Sequence, residues 1–140
     1  MTALASALFF DLETTRDGQR LLAVGGIYGQ GELHEPKLDK LLPWLQEAQT
    51  LVGHNIVAHD VPFLRKRLGD KALEGKVLVD TLCWSALLYA DHPYHKLIKG
   101  YDLVPEHEGE LSNPLSDSKL CRKLLEEQLG QFNALPIALR

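Results

Sequence analysis

The stretch ALFFDLETT, Ala7 to Thr15, constrains the fold more than any other part of this 140-residue chain. Alternate residues of a strand face opposite sides. Here Ala7 and Phe9 share one side and Leu8, Phe10 and Leu12 the other, so both sides are apolar or small. That is the pattern of a strand covered on both faces, and it belongs mid-sheet. The pattern predicts a strand over Ser6–Leu12. Asp11 and Glu13 then project together where the strand ends. Two like charges repel when both are ionised, and a divalent cation between them is the simplest way to keep both charged at neutral pH.

The rest of the chain reads as strands and helices in series. Arg16 to Gly18 form a polar turn, and Leu21–Tyr28 is a second strand whose Gly25-Gly26 pair signals a bulge or a close backbone approach. Glu32–His34 follows as a short hairpin partner. Leu38, Leu41, Leu42 and Leu45 form an amphipathic stripe, with a helix start near Asp39 and a constraint from Pro43. Thr50–Gly53 is a short strand. Ala58–Leu68 is helical, with Pro62 tolerated in the first turn, and Gly69 closes it. Val77–Val79 is another short strand, and Asp80 caps a helix running to about Ala90. His92–Asn113 is irregular, and Pro114–Gln131 is the last long helix. A meander of strands followed by strands alternating with helices predicts an α/β fold with a mixed sheet.

The chain has the length and, at 45% hydrophobic, the apolar content of one domain over residues 1–140. A formal net charge of -4 gives no overall basic footprint, so nucleic-acid binding would need a local patch or bound cations. Cys83 and Cys121 lack CxxC spacing and read as small buried thiols in apolar helices, which suits a reducing compartment. No signal-peptide pattern occurs, and no apolar run approaches the roughly 18 residues that a membrane span needs. The expectation is a soluble cytoplasmic protein.

Two further carboxylates answer the first pair. In GHNIVAHDVPFLRKRL, Asp60 shares a helix face with Phe63, Leu64 and Leu68. In SNPLSDSKLCRKLL, Asp117 shares a face with Leu120, Cys121, Leu124 and Leu125. A charge on a core-facing stripe is costly unless it is paired or binds a metal, although a helix N-terminus also favours an acidic residue.

Asp11-x-Glu13 on a first strand, Asp60 in a His-Asn-x4-Asp-x3-Leu segment and Asp117 opening a final helix together resemble the DEDD superfamily of DnaQ-like 3'-5' exonucleases. The likeness spans essentially the whole chain and is sharpest at FFDLETT and VGHNIVAHDVPFL. PYHKLIKGYDL followed by NPLSDSKL is similar to exonuclease-type domains attached to bacterial RecQ-like helicases. The resemblance implies a ribonuclease H-like fold with a mixed central sheet of about five strands flanked by helices. It implies two divalent cations, Mg2+ or Mn2+, held by Asp11, Glu13, Asp60 and Asp117. Asp11 would bridge both ions, Glu13 and Asp117 would serve the one that activates water, and Asp60 the one facing the leaving oxygen. The implied partners are single-stranded DNA or RNA 3' ends and a fused or separate helicase, with no membrane. Leu12, Thr14 and Asn55 match positions that meet the nucleotide.

One position departs from that family's pattern. Members carry His five residues, or Tyr four residues, before the last Asp, and this chain has Ser112 and Asn113 there. Candidates for handling the attacking water are His107, His95 and Asn113. The residues therefore leave open an active exonuclease, an exonuclease-like binding or helicase-accessory domain, and a structural domain. Other polar residues carry plainer expectations. His54 and Asn55 bond within a strand-to-helix turn, and His59 is a surface or capping residue. Asp80 is a helix cap and not a fifth ligand. Arg65, Lys66 and Arg67 form a solvated face, or with Lys96, Lys99, Arg122 and Lys123 line a strand-binding groove. Trp84, Tyr94 and Tyr101 serve in core or loop packing, or stack on bases.

Overall fold

The computed structural model describes residues 6–88 and 113–135. Among the described residues five strands make one mixed sheet in the order β3-β2-β1-β4-β5: β1 Ala7–Thr14, β2 Leu21–Tyr28, β3 Gly31–Glu35, β4 Thr50–Gly53 and β5 Val77–Asp80. β1, β2 and β3 pair antiparallel, whereas β4 and β5 continue parallel to β1. The helices among the described residues are α1 Leu42–Glu47, α2 Asp60–Leu68, α3 Thr81–Leu88 and α4 Pro114–Ala134. The protein is thus α/β, with helices flanking a five-stranded mixed sheet.

β1 is central and covered on both faces, as its apolar pattern requires. Ala7, Phe9, Ile27 and Val52 pack with Cys121 and Leu125 of α4. On the other face Leu8, Phe10, Leu12 and Val24 join Leu41, Leu45, Ile56, Val61 and Leu64. The side chains alternate between two cores along one strand.

Several boundaries differ from the sequence expectation. β1 does not end at Leu12, because β2 stays paired with it through Glu13↔Ala23, with a register shift before Thr14↔Leu21. Asp11 and Glu13 therefore lie inside a hydrogen-bonded strand, which holds them more firmly than a loose end would. α1 begins at Leu42 and not near Asp39, since Pro43 has no N–H and fits only at the start of a helix. Leu38, Leu41 and Leu45 are nonetheless all buried, with Leu38 and Leu41 joined by a tight turn in which Leu41 N donates to Leu38 O at 2.8 Å. α2 starts at Asp60 and not Ala58, keeping Pro62 in the first turn. Cys121 is buried, but Cys83 is exposed. α3 instead turns Thr81 and Ser85, one turn apart, inward to Gln128, whose Nε2 donates to Thr81 O at 2.8 Å and Ser85 Oγ at 2.9 Å. Among the described residues no helix is long and apolar enough to cross a membrane.

The Gly25-Gly26 pair is a close approach without a bulge. Both glycines stay in register with β1, Gly25 opposite Asp11 and Gly26 opposite Phe10. A Cβ on Gly25 would lie 2.2 Å from both Pro114 C and Leu115 N, far inside van der Waals contact. The first turn of α4 therefore rests directly on the β2 backbone beside Asp11. Backbone atoms on both sides cannot rotate away as a side chain would. Gly25→Ala is expected to destabilise the fold by about 1–3 kcal/mol, the usual cost of overpacking. Gly130→Ala, with open space at its Cβ, is expected to be neutral or stabilising by up to about 1 kcal/mol. Urea denaturation of the two variants beside wild type checks both.

Candidate metal centre

Asp11 and Glu13 lie on the α4 side of the sheet because they alternate in register with Ala7 and Phe9, which pack on that helix. The N-terminus of α4 is fixed above them by sequence-local means. Asn113 caps it, its Oδ1 accepting from Leu115 N at 3.0 Å and Ser116 N at 3.2 Å, and Pro114 fills the first turn. This brings Asp117, only 6% exposed, over the strand. Asp11, Glu13 and Asp117 each present an oxygen, all within 4.8 Å of one another.

Asp60 arrives from the opposite layer, where Val61 and Leu64 of α2 lie in the core. β4 stops pairing with β1 at Phe9↔Val52, so the end of β1 is open on that side. Leu12 donates its backbone N–H to Asp60 Oδ2 at 3.3 Å there. Asp60 is 1% exposed, and it stands beside the three-carboxylate group without being part of it.

Burial and the nearby Asp60 and Asp117 charges, a hydrogen bond to Asp117 and the Glu13 charge push the Asp11 carboxyl up to about 10 from an ordinary 3.8. Burial also raises Asp60, against the lowering effect of its hydrogen bonds from His59 and Leu12. Without a counter-charge the cluster must hold protons to avoid gathering negative charge. Among the described residues Asp11 Oδ2 is buried and has no hydrogen-bond partner. An orphaned oxygen among hard oxygen donors is what Mg2+ or Mn2+ would satisfy, so these residues fit a divalent cation.

The loop between β4 and α2 is held by Asp80. Its Oδ1 accepts from Asn55 N at 2.8 Å and Leu82 N at 3.0 Å, and its Oδ2 from Val57 N at 3.1 Å. Asp80 thus caps α3, as expected, and also fixes the loop in which Asn55 adopts a positive φ of 65°. Asn55 itself is exposed. His54 Nδ1 lies 2.9 Å from Thr81 Oγ1. The Leu12 side chain belongs to the core, whereas Thr14 is half-buried at the rim. Trp84 packs edge-on against Phe132, Arg65, Lys66 and Arg67 are exposed, and Arg122 and Lys123 are exposed on α4. His95, His107 and Ser112, with Tyr94, Lys96, Lys99 and Tyr101, lie outside the described residues.

His59 is exposed, as expected of a surface residue, but it is not a side-chain cap. It occupies the N-cap position of α2, yet its side chain makes no capping bond. Its Nδ1 meets Asp60 Oδ1 and its Nε2 lies 3.3 Å from Thr14 Oγ1. Imidazole is a poor cap beside Ser, Thr, Asp or Asn, and that was the available signal that His59 faces elsewhere. No protein-family model and no curated protein matches the chain.

The raised Asp11 sets a pH dependence. Between about pH 4 and about pH 10 the folded, cation-free protein keeps a proton that the unfolded chain has released, so stability falls as pH rises through that window. In chelator, the melting temperature is expected to drop from pH 5 to pH 8. Asp11→Asn removes the carboxyl that must hold this proton, and should flatten that drop while raising the pH 8 value. At pH 8, added Mn2+ is expected to raise the melting temperature of wild type and not of Asp11→Asn. Differential scanning calorimetry across pH checks all three.

Proposed function

We propose that this chain is a metal-dependent 3'-5' exonuclease of the DEDD type, with its sheet arranged as in ribonuclease H-like folds. One observation carries the reading: Asp11, Glu13 and Asp117 converge within 4.8 Å from a central strand and a distant helix, with buried Asp60 tethered beside them. The resemblance in sequence supplies the polarity and the substrate class, single-stranded DNA or RNA 3' ends, in a cytoplasmic setting alongside a fused or separate helicase. Asp11, Glu13 and Asp117 would hold one divalent cation, and Asp60 with Asp11 a second. Such a pair, when bound, polarises the phosphodiester and lowers the pKa of water.

The chain's own part is to orient and to exclude. β1, hydrogen-bonded on both sides at Phe9 and packed on both faces, fixes the spacing of Asp11 and Glu13. The Gly25 contact fixes the height of Asp117 above them. Leu12 N–H orients Asp60; half-buried Thr14 and exposed Asn55 are the residues that the sequence resemblance would have meet a terminal nucleotide. Hydrolysis puts the water's hydroxyl on phosphorus and returns a proton to the departing 3' oxygen. With the carboxylate charge neutralised, an acidic chain can receive a phosphodiester.

A second reading, an exonuclease-like binding or helicase-accessory domain, has one specific observation in its favour. Asn113, which stands where Tyr-type members carry their Tyr, spends its side-chain oxygen on capping α4. The two readings separate on 5'-labelled single strands of DNA and RNA with Mn2+. Exonuclease action gives a ladder shortening from the 3' end. Glu13→Gln is expected to lower the rate by about 100–1,000-fold, the several kcal/mol that cation positioning contributes. Salt-sensitive binding with no ladder at high protein concentration would establish the second reading and overturn the first.

A further inference from the structure

We infer that His59 is a positioning residue that holds Asp60 in its cation-binding orientation and couples it to the substrate rim through Thr14. The inference rests on the two-cation reading above.

Asp60 has two oxygens and a neighbour for each. Oδ2 accepts the Leu12 backbone N–H at 3.3 Å, and Oδ1 meets His59 Nδ1. The carboxylate therefore cannot turn about its terminal torsion without breaking one of the two contacts, one of them to the β1 backbone. The same imidazole ends at Thr14 Oγ1, 3.3 Å from Nε2, so a single ring spans from a buried carboxylate to the half-buried rim. Either protonation state keeps both contacts: Nδ1–H donates to Asp60 throughout, while Nε2 accepts from the Thr14 hydroxyl when bare and donates to it when protonated.

The backbone geometry supports this assignment. His59 immediately precedes α2, where a side chain would ordinarily cap the free N–H groups, and it makes no such bond. The α2 N-terminus is served instead by the chain before it, with Val61 N donating to Ile56 O at 2.8 Å. The ring is thereby released to act on Asp60. Its side chain keeps 45% of its exposure while Asp60 keeps 1%, so it stands between the solvent side of the site and the buried carboxylate. Hydrogen-bonded partners of ligating carboxylates typically contribute 10–100-fold in metal affinity.

The test is Mn2+ binding to the full chain, followed by electron paramagnetic resonance, beside its melting temperature in chelator. His59→Ala is expected to weaken the weaker of two Mn2+ sites by about 10–100-fold and to leave the tighter one within about threefold. His59→Asn places an amide N–H close to the Nδ1 position and should restore most of that affinity; His59→Gln, which mimics Nε2, should not. In Asp60→Asn, adding His59→Ala should change Mn2+ affinity no further, because the ring acts through that carboxylate. The chelator melting temperatures separate misfolding from a binding effect, and the Asn variant keeps the test decisive if the Ala variant is unstable. Two Mn2+ sites in wild type with His59→Ala unchanged, or Gln rescuing as well as Asn, would overturn the role of His59 alone. No Mn2+ binding by wild type would overturn the two-cation reading and this inference with it.

Discussion

The contact between α4 and β2 at Gly25 is the constraint on which the site depends. A helix normally stands off a sheet by the length of its side chains. At Gly25 there is none, and Pro114 and Leu115 approach the strand with their backbones. The register places that contact opposite Asp11, so the helix descends where the strand carries its first carboxylate. Asp117, the fourth residue of α4, then meets Asp11 and Glu13. Asn113 and Pro114 before it stiffen the same turn. Packing and capping thus bring together charges that electrostatics alone would keep apart.

That arrangement is unfavourable by itself. Burial and three neighbouring carboxylates shift Asp11 far from its ordinary range, and one of its oxygens finds no donor among the described residues. A protein stable by only several kcal/mol tolerates such a cluster where the scaffold over-determines it or where a ligand relieves it. Here both faces of β1 are filled, with Phe9 and Phe10 each 1% exposed. The strand holds its carboxylates in place whether or not they are compensated.

Much of this was legible in the sequence, and the reason is physical. Two-sided apolar alternation at Ala7–Leu12 specified a central strand, and Asp60 and Asp117 stood out because a charge on an apolar helical stripe requires a partner. Pro62 and Gly69 bounded α2 through their backbone chemistry. What escaped was set by tertiary contact. The extension of β1 to Thr14 comes from its pairing with β2, and no residue inside β1 announces it. The late start of α1 comes from Pro43, which takes a place in the first turn that a start near Asp39 would have denied it. The apolar neighbours of Cys83 point to an inward thiol, but α3 turns its small polar residues, Thr81 and Ser85, toward Gln128 instead. Gly25 announced a close approach without saying what approached, since Pro114 lies far along the chain.

His59 shows the same limit from the opposite direction. Read locally, a histidine before a helix is a surface or capping residue. Its partners are Asp60, adjacent in sequence, and Thr14, on another element, and only the second needs the fold. The β1–β4 pairing stops at Phe9↔Val52, which opens the strand edge at Leu12 to a side chain. Asp60 enters that opening because α2 begins immediately after a loop pinned by Asp80 at Asn55 and Val57. The loop therefore sets where α2 starts, the start of α2 sets where Asp60 and His59 point, and the bare edge of β1 receives them. A short strand followed by a tightly held loop does the work of placing a fourth carboxylate that neither β1 nor α4 could supply.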